Sequence, residues 1–383
     1  SVAKNGFLFT ITESGHLFTL EIENRKNVWL TDLGSRPKGL AADEQNVYVT
    51  MAQINKVYAF DQKNGKKVWQ SRTKKSMSNS LPLVIDKYLV VGDDAGFINA
   101  FDKQTGKVVW QKNLGEVIHS SPAFGEGLIF IGTEDENSAV FALTLDYGET
   151  VWRFPIDKVE RSTTRVNLFH GTPTYHDGKV YIGGENWYFY VLSAKTGKLI
   201  WKHEFDGWFT SAPALDNKNI YIGNWNGNFY ALSQDTGDIV WAYNVIKDAP
   251  FEISSYGPSG EVQKQGMNSW PIVTDSKVFF GTSNGYFYAL DKTGRLLWKE
   301  KYGSAWPILT NDILIIPNHP PPDALKGEMI VALSNNLPVK AIDNNISSFK
   351  TNSLKVSTVL VVAVLVLVGI IGYLLKRWYK KTR

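Results

Sequence analysis

One phrase recurs along the chain with a spacing of about 40 residues, and it restricts the fold more than any other feature of the sequence. The phrase runs from an aromatic or small residue through Ala and a polar residue to a turn that ends in Gly, and it closes on Trp; its clearest copy is NAFDKQTGKVVW at 99–110. A period of about 20 to 50 residues is typical of repeat architectures in which each unit buries its apolar face against the next. The copies end at Trp29, Trp69, Trp110, Trp152, Trp201, Trp241 and Trp298.

Each unit predicts four short antiparallel strands, A to D. Its upstream half repeats as a Pro, a turn and an alternating strand, as in SSPAFGEGLIFIGT at 120–133. We place Pro at the start of strand A, Ala on strand C and Trp on strand D, with Gly in the C–D turn, where it can adopt a positive φ. Because Trp is large enough to fill the wedge between neighbouring sheets, and the Ala position leaves room for it, we expect the seven tryptophans to be structural.

Two incomplete copies complete the repeat. Residues 1–11 match the upstream half of a unit, and residues 306–342 supply strands A to C and a fourth strand that lacks Trp. The count predicts an all-β chain, an eight-bladed β-propeller of four-stranded antiparallel blades over residues 1–341. Seven blades is the alternative if the terminal copies merge into one, because closure between the chain ends removes exposed sheet edges.

The phrase AFDKQTGKVVW at 100–110 resembles the tryptophan-docking motif of PQQ-type β-propellers. That family includes quinoprotein alcohol dehydrogenases and the non-catalytic propeller lipoprotein of the bacterial outer-membrane β-barrel assembly machinery. For dehydrogenase chemistry the resemblance implies a vicinal disulfide, a calcium site of Glu, Asn and Asp, and a catalytic Asp. The chain has no cysteine, and we find no residues that match those metal ligands. We therefore predict no enzymatic activity, no cofactor and no metal.

The positive charge of the chain belongs to its C-terminal end. Six of the 41 basic residues lie from Lys355 onward, where no acid occurs, so residues 1–354 hold 35 basic against 37 acidic residues. A propeller this close to neutral offers no electrostatic basis for binding nucleic acid.

The segment 356–375 is 20 residues without a charge, and at about 1.5 Å per residue a helix of this length crosses a hydrocarbon core of about 30 Å. The basic tail 376–383 follows directly, and the positive-inside rule places it in the cytoplasm. We therefore predict a single-pass protein of the cell membrane, with the propeller outside and residues 342–355 as a polar stalk.

Two further expectations follow from an outside location. The chain begins at Ser1 rather than Met, which is consistent with removal of an N-terminal signal peptide or with the boundary of an expressed fragment. Asn345 begins the sequon Asn-Ile-Ser close to the membrane, and it is either a glycosylation site or an accidental match.

The long insertions identify one face of the propeller as a candidate binding surface. Residues 153–171 and 242–268 are predicted D–A connections and residues 317–327 a B–C connection, and these two kinds of connection share a face. Long loops on a rigid scaffold commonly carry binding residues, although tolerated surface insertions are the simpler alternative. His119, just before a strand A, is interpreted as a polar lining residue of the channel rather than a metal ligand. The candidate partner-binding residues are Arg161, Arg165, His170, Phe251, Tyr256, Trp270 and Trp306.

The function that these observations favour is a membrane-anchored scaffold that binds one or more protein partners, as a subunit of a membrane or cell-surface complex. A PQQ-dependent dehydrogenase or a saccharide-binding enzyme is the alternative. A surface sensor is a third possibility, weakened because the tail 376–383 has no room for a signalling domain.

Overall fold

A computed structural model describes twelve segments of the chain. Their regular secondary structure consists of β-strands and one short 3-10 helix at Val245–Asp248. The predicted all-β propeller of four-stranded antiparallel blades is confirmed. The described residues are 1–24, 26–77, 79–134, 137–157, 171–248, 266–267, 269–283, 285–301, 307–310, 313–317, 330–334 and 340–342.

The strands form eight sheets of four, and in each sheet the strand order follows the chain. The first four sheets are β1 (Val2–Lys4), β2 (Phe7–Ile11), β3 (His16–Glu21), β4 (Lys26–Asp32); β5 (Pro37–Ala42), β6 (Asn46–Met51), β7 (Lys56–Asp61), β8 (Lys67–Arg72); β9 (Leu83–Ile85), β10 (Tyr88–Gly92), β11 (Phe97–Asp102), β12 (Val108–Asn113); and β13 (Ala123–Gly125), β14 (Leu128–Gly132), β15 (Ala139–Thr144), β16 (Thr150–Pro155). The other four are β17 (Thr174–His176), β18 (Lys179–Gly183), β19 (Tyr188–Ser193), β20 (Leu199–Glu204); β21 (Ala214–Leu215), β22 (Asn219–Gly223), β23 (Asn228–Ser233), β24 (Ile239–Asn244); β25 (Ile272–Val273), β26 (Lys277–Gly281), β27 (Tyr286–Asp291), β28 (Leu296–Lys301); and β29 (Ile308–Thr310), β30 (Ile313–Pro317), β31 (Ile330–Ser334), β32 (Lys340–Ile342).

Apolar clusters between successive sheets hold the ring together. Each sheet packs its buried residues against the next, and Ile315 of the eighth sheet packs with Leu8 and Phe18 of the first. The first and last sheets are separate and lie next to each other, so the ring closes at the chain ends. Closure matters because an open end would leave an apolar sheet face in water.

In the first seven sheets the Ala position of strand C lies directly opposite the Trp of strand D. In the third sheet Ala100 is the partner of Trp110, and the register shifts between Ala100 and Phe101 because strand D carries one extra residue. The same shift next to the Trp occurs in sheets one, two, four, five, six and seven. A β-bulge of this kind increases the local twist of the outer strand.

The Trp of one sheet is held by the C–D turn of the next. Trp69 Nε1 donates a hydrogen bond to the carbonyl oxygen of Lys103 at 3.0 Å, and a Cβ on Gly106 would lie 2.5 Å from the Trp69 ring. Gly106 also has a φ of +71°. The turn therefore requires Gly at this position for two reasons: the positive φ of the backbone and the space that the Trp ring occupies. The other Trp and Gly pairs are Trp29 with Gly65, Trp110 with Gly148, Trp152 with Gly197, Trp201 with Gly237 and Trp241 with Gly294.

Ile342, the first residue of the predicted stalk, ends β32. The rest of the stalk, the helix at 356–375, the basic tail and the sequon at Asn345 lie outside the described segments. In the segments that the structure does describe, no helix has the length and apolar character needed to span a bilayer.

Candidate functional site

The candidate surface is the face formed by the D–A and B–C connections, which we call the loop-bearing face. Short turns close the opposite face. Of the residues proposed for the surface, Trp270 is described: it is half-buried and lies just before β25. The remaining six lie outside the described segments, namely Arg161, Arg165, His170, Phe251, Tyr256 and Trp306.

The B–C turn of the fifth sheet departs from the repeat. In the equivalent turns Gly15, Gly96, Gly227 and Gly285 have φ values between +76° and +91°. The fifth sheet places Trp187 there, with a φ of +70°. A left-handed conformation costs a non-glycine residue about 1 to 2 kcal/mol, and backbone strain of this kind clusters at functional sites. The half-buried Trp187 is therefore a residue that the local backbone disfavours.

The next connection brings a second Trp to the same face. Trp208 lies in the D–A connection between β20 and β21, and the carbonyl oxygen of Trp187 accepts a hydrogen bond from the Phe205 backbone N–H, three residues earlier, at 2.8 Å. The Trp208 ring is half-buried. Its Nε1 is buried and has no hydrogen-bond partner among the described residues. An unsatisfied buried donor of this kind costs about 1 to 3 kcal/mol of stability.

A third Trp, in the B–C turn of the sixth sheet, packs against Trp208. The rings of Trp225 and Trp208 meet edge to face with centroids 6.2 Å apart, and the Trp225 backbone N–H donates to the Trp208 carbonyl at 3.0 Å. Trp225 Nε1 donates to Thr210 Oγ1 at 2.7 Å. These contacts fix the side chain of Trp225 while leaving it half-buried.

Asp206 stiffens the connection that carries Trp208. Its carboxylate accepts hydrogen bonds from Asn224 Nδ2 at 2.7 Å, Asn228 Nδ2 at 2.6 Å and the Tyr230 hydroxyl at 2.8 Å. Burial and the neighbouring Asp206 carboxylate raise the pKa of Tyr230 well above its usual range, so this hydroxyl remains a donor. The connection between the fifth and sixth sheets is thus tied to the sixth sheet at several points.

We call Trp187, Trp208, Trp225 and Trp270 the tryptophan patch. Of the 13 tryptophans, seven close the repeats. Four of the other six are described, and all four lie in connections of the loop-bearing face. Sequence reasoning named Trp270 and Trp306 but missed Trp187, Trp208 and Trp225. The signal was present, because these three lie outside the repeated Trp position.

A separate polar cluster ties the third and fourth sheets on this face. The two ring nitrogens of His119 lie 3.4 Å from Asp94 and 2.8 Å from Glu134. Burial alone would lower the pKa of His119, but its hydrogen bonds to the two carboxylates outweigh burial and raise the pKa to about 9. A protonated imidazole with both nitrogens facing carboxylates is unsuited to bind a metal. No group of metal-ligating side chains occurs in the segments that the structure describes.

A ring of four-stranded antiparallel blades, in which the Trp of each of the first six blades docks on the C–D turn of the next, defines a PQQ-like β-propeller. The chain belongs to the family described as outer membrane protein assembly factor BamB, whose sequence profile matches residues 1–116, 53–155 and 136–305.

Curated relatives are similar to part of the chain. BamB of Yersinia pestis is 24% identical over 216 residues, which cover 51% of this chain and 54% of the relative. BamB of Moranella endobia is 26% identical over 140 residues, covering 36% of each chain. The chain thus spans about half the length, or less, of the curated relatives it matches.

Solved structures share the fold over a larger part of the chain. BamB from Moraxella catarrhalis has a TM-score of 0.67 at 16% identity, covering 82% of this chain and 92% of its own. Quinohemoprotein alcohol dehydrogenase from Comamonas testosteroni has a TM-score of 0.58 at 16% identity, covering 77% of this chain and 64% of its own. Because assembly factor and dehydrogenase share this fold, fold similarity alone assigns no chemistry.

Proposed function

We propose that the protein is a non-catalytic, membrane-associated scaffold that binds a protein partner through the tryptophan patch, within a complex that assembles membrane proteins. The family supports the broad role, because its described members are outer membrane protein assembly factors. The observation that carries the binding site is the position of the described tryptophans that take no part in closing the repeats. All four of them lie in connections of one face.

A protein partner fits the chemistry of this patch. Trp is among the residues most enriched at the centres of protein interfaces, where a few aromatic anchors contribute most of the binding energy. Trp208 and Trp225 offer half-buried rings held by neighbouring backbone and by Thr210. Binding to a surface that is already ordered avoids part of the conformational entropy cost of association.

The strained backbone conformation of Trp187 supports a functional role for its side chain. The other four described B–C turns with this geometry have Gly, so the repeat itself gives no reason for a Trp at this position. A side chain that costs stability through its backbone is retained more readily when it contributes to function.

We also propose the membrane anchor and its orientation. The uncharged segment 356–375 and the basic tail 376–383 support a single-pass helix with the tail in the cytoplasm and the propeller outside. Anchoring would confine the propeller to the membrane surface, where a partner in the same membrane meets it at a high effective concentration.

The dehydrogenase alternative is not favoured. The resemblance to quinoprotein alcohol dehydrogenases implies a vicinal disulfide for that chemistry, whereas this chain has no cysteine. We expect that adding PQQ and calcium to the purified protein produces no bound-cofactor absorbance and no alcohol-dependent dye reduction.

The proposal is tested by isolating the tagged full-length chain from native membranes and comparing the partners recovered with each variant. We expect Trp208→Ala and Trp225→Ala each to reduce recovery of the partner at least tenfold. The matched control is Tyr147→Ala, because Tyr147 is 75% exposed and lies in a C–D turn on the opposite face. Equal recovery with all three variants would remove the patch from the interface.

A further inference from the structure

The outer strand of the sixth sheet, β24, differs from the other outer strands. Among the residues that the structure describes, β24 pairs with β23 on one side and no strand pairs with it on the other. A strand of this kind presents a row of backbone N–H and C=O groups that can pair with another chain. Proteins usually block such edges with charged residues, above all Lys, or with Pro.

Every other outer strand carries such a block. β24, with the sequence IVWAYN, contains neither a charge nor a proline. The positive charges of the other outer strands include Lys26 in β4, Lys67 and Arg72 in β8, Lys112 in β12, Arg153 in β16, Lys202 in β20, Lys299 in β28 and Lys340 in β32.

The apolar side chains of β24 are also unusually accessible. Ile239 is 55% exposed and Val240 54% exposed, the largest values among the aliphatic side chains that the structure describes as exposed. Ala242 is exposed as well, whereas Trp241 and Tyr243 pack against the core between the sixth and seventh sheets. The strand therefore combines an open backbone edge with an exposed aliphatic pair and no charge.

We propose that β24 pairs antiparallel with β24 of a second copy of this chain and forms a two-fold symmetric dimer. In such a pair, residues near the two-fold axis face the same residues of the other copy. A Lys in the strand would then lie close to an identical Lys, and like charges across paired strands are destabilising. β24 is the outer strand of the described sheets on which self-pairing meets no like-charge repulsion.

Symmetry favours this occupant over pairing of β24 with a different outer strand. A contact between two different edges would leave β24 free at one end of the assembly and would continue into a chain of molecules. Self-pairing covers both copies of β24 and ends there. The dimer is independent of the tryptophan patch, because β24 lies on the outer rim and the patch lies on the loop-bearing face.

Cysteine cross-linking tests the contact directly, because the chain has no cysteine of its own. We expect the full-length Val240→Cys variant, treated in membranes with a bifunctional maleimide, to give a product of twice 43.0 kDa. The control is Val109→Cys, since Val109 precedes Trp110 on β12 as Val240 precedes Trp241 on β24 and is 46% exposed. Equal yields from the two variants would overturn the proposal. A Val240→Cys product of any other mass would do the same and would point to a strand of a different protein.

Introducing a charge at position 240 gives a second test that does not depend on a cross-linking reagent. We expect Val240→Lys and Val240→Glu each to weaken the dimer at least tenfold in dilution experiments, and an equal mixture of the two to restore it. The corresponding substitutions at Val109 should change nothing. Because Val240 is more than half exposed, the thermal midpoint of the variants should stay within a few degrees of the parent. A wild-type chain that stays monomeric, or a mixture that fails to associate, contradicts self-pairing.

Discussion

Replacing Trp187 with Gly should remove a binding residue while leaving the stability of the propeller nearly unchanged. Trp187 has a φ of +70°, and relieving this conformation should gain about 1 to 2 kcal/mol. The greater freedom of Gly in the unfolded chain costs roughly 0.5 to 1 kcal/mol. Loss of packing by the half-buried ring offsets much of the remainder. We therefore expect the free energy of unfolding to change by no more than about 1 kcal/mol.

The matched variant is Trp187→Ala, which removes the ring but keeps a side chain in the left-handed conformation. Denaturant unfolding followed by Trp fluorescence should place Trp187→Gly above Trp187→Ala by about 1 kcal/mol. Both variants should lose partner binding to the same degree. A Trp187→Gly variant that loses more than about 3 kcal/mol would show that the ring is part of the core, and the argument from strain would fail.

The remaining predictions concern the repeat, a titrating group and the membrane topology. Trp201→Ala should lower the free energy of unfolding by about 3 to 5 kcal/mol, measured by denaturant unfolding, and a loss under about 1 kcal/mol would contradict a docking role. The pKa of His119 is raised to about 9, so its stabilisation is fully present below about pH 6.5 and is lost as the pH rises through 9. The stability difference between the parent and His119→Gln should accordingly shrink from pH 6 to 10, by up to about 3 kcal/mol. Protease added to intact cells should remove the propeller and leave a protected fragment that an antibody to 376–383 detects, whereas loss of that epitope would invert the topology.

The repeat made the fold predictable because its residues are fixed by packing. Trp110 lies opposite Ala100 and against Gly148, so the spacing of Ala, Gly and Trp in one phrase reports strand C, the turn and strand D together. The register shift between Ala100 and Phe101 was not predicted, since a bulge adds one residue without changing the pattern. The contact of Trp110 with the turn of the following sheet could not be predicted from the pattern of one repeat, because this contact joins two units.

The candidate site was less predictable for the same reason. Trp187, Trp208 and Trp225 lie where the repeat is irregular, and periodicity gives no information about such positions. The turn glycines at 15, 96, 227 and 285 do provide a reference from which Trp187 stands out once the turns are aligned. The edge-to-face contact of Trp208 with Trp225 required the structure, since it joins a D–A connection to a B–C turn.

The central claim, that the tryptophan patch is where a protein partner binds, is tested most directly by photo-cross-linking in native membranes. A photoreactive amino acid replaces Trp208 in the full-length chain, and the control places it at Tyr147, which is 75% exposed on the opposite face. We predict that position 208 yields one discrete cross-linked membrane protein and that position 147 yields none. A product from position 147 with none from position 208 would contradict the claim and move the interface to the opposite face.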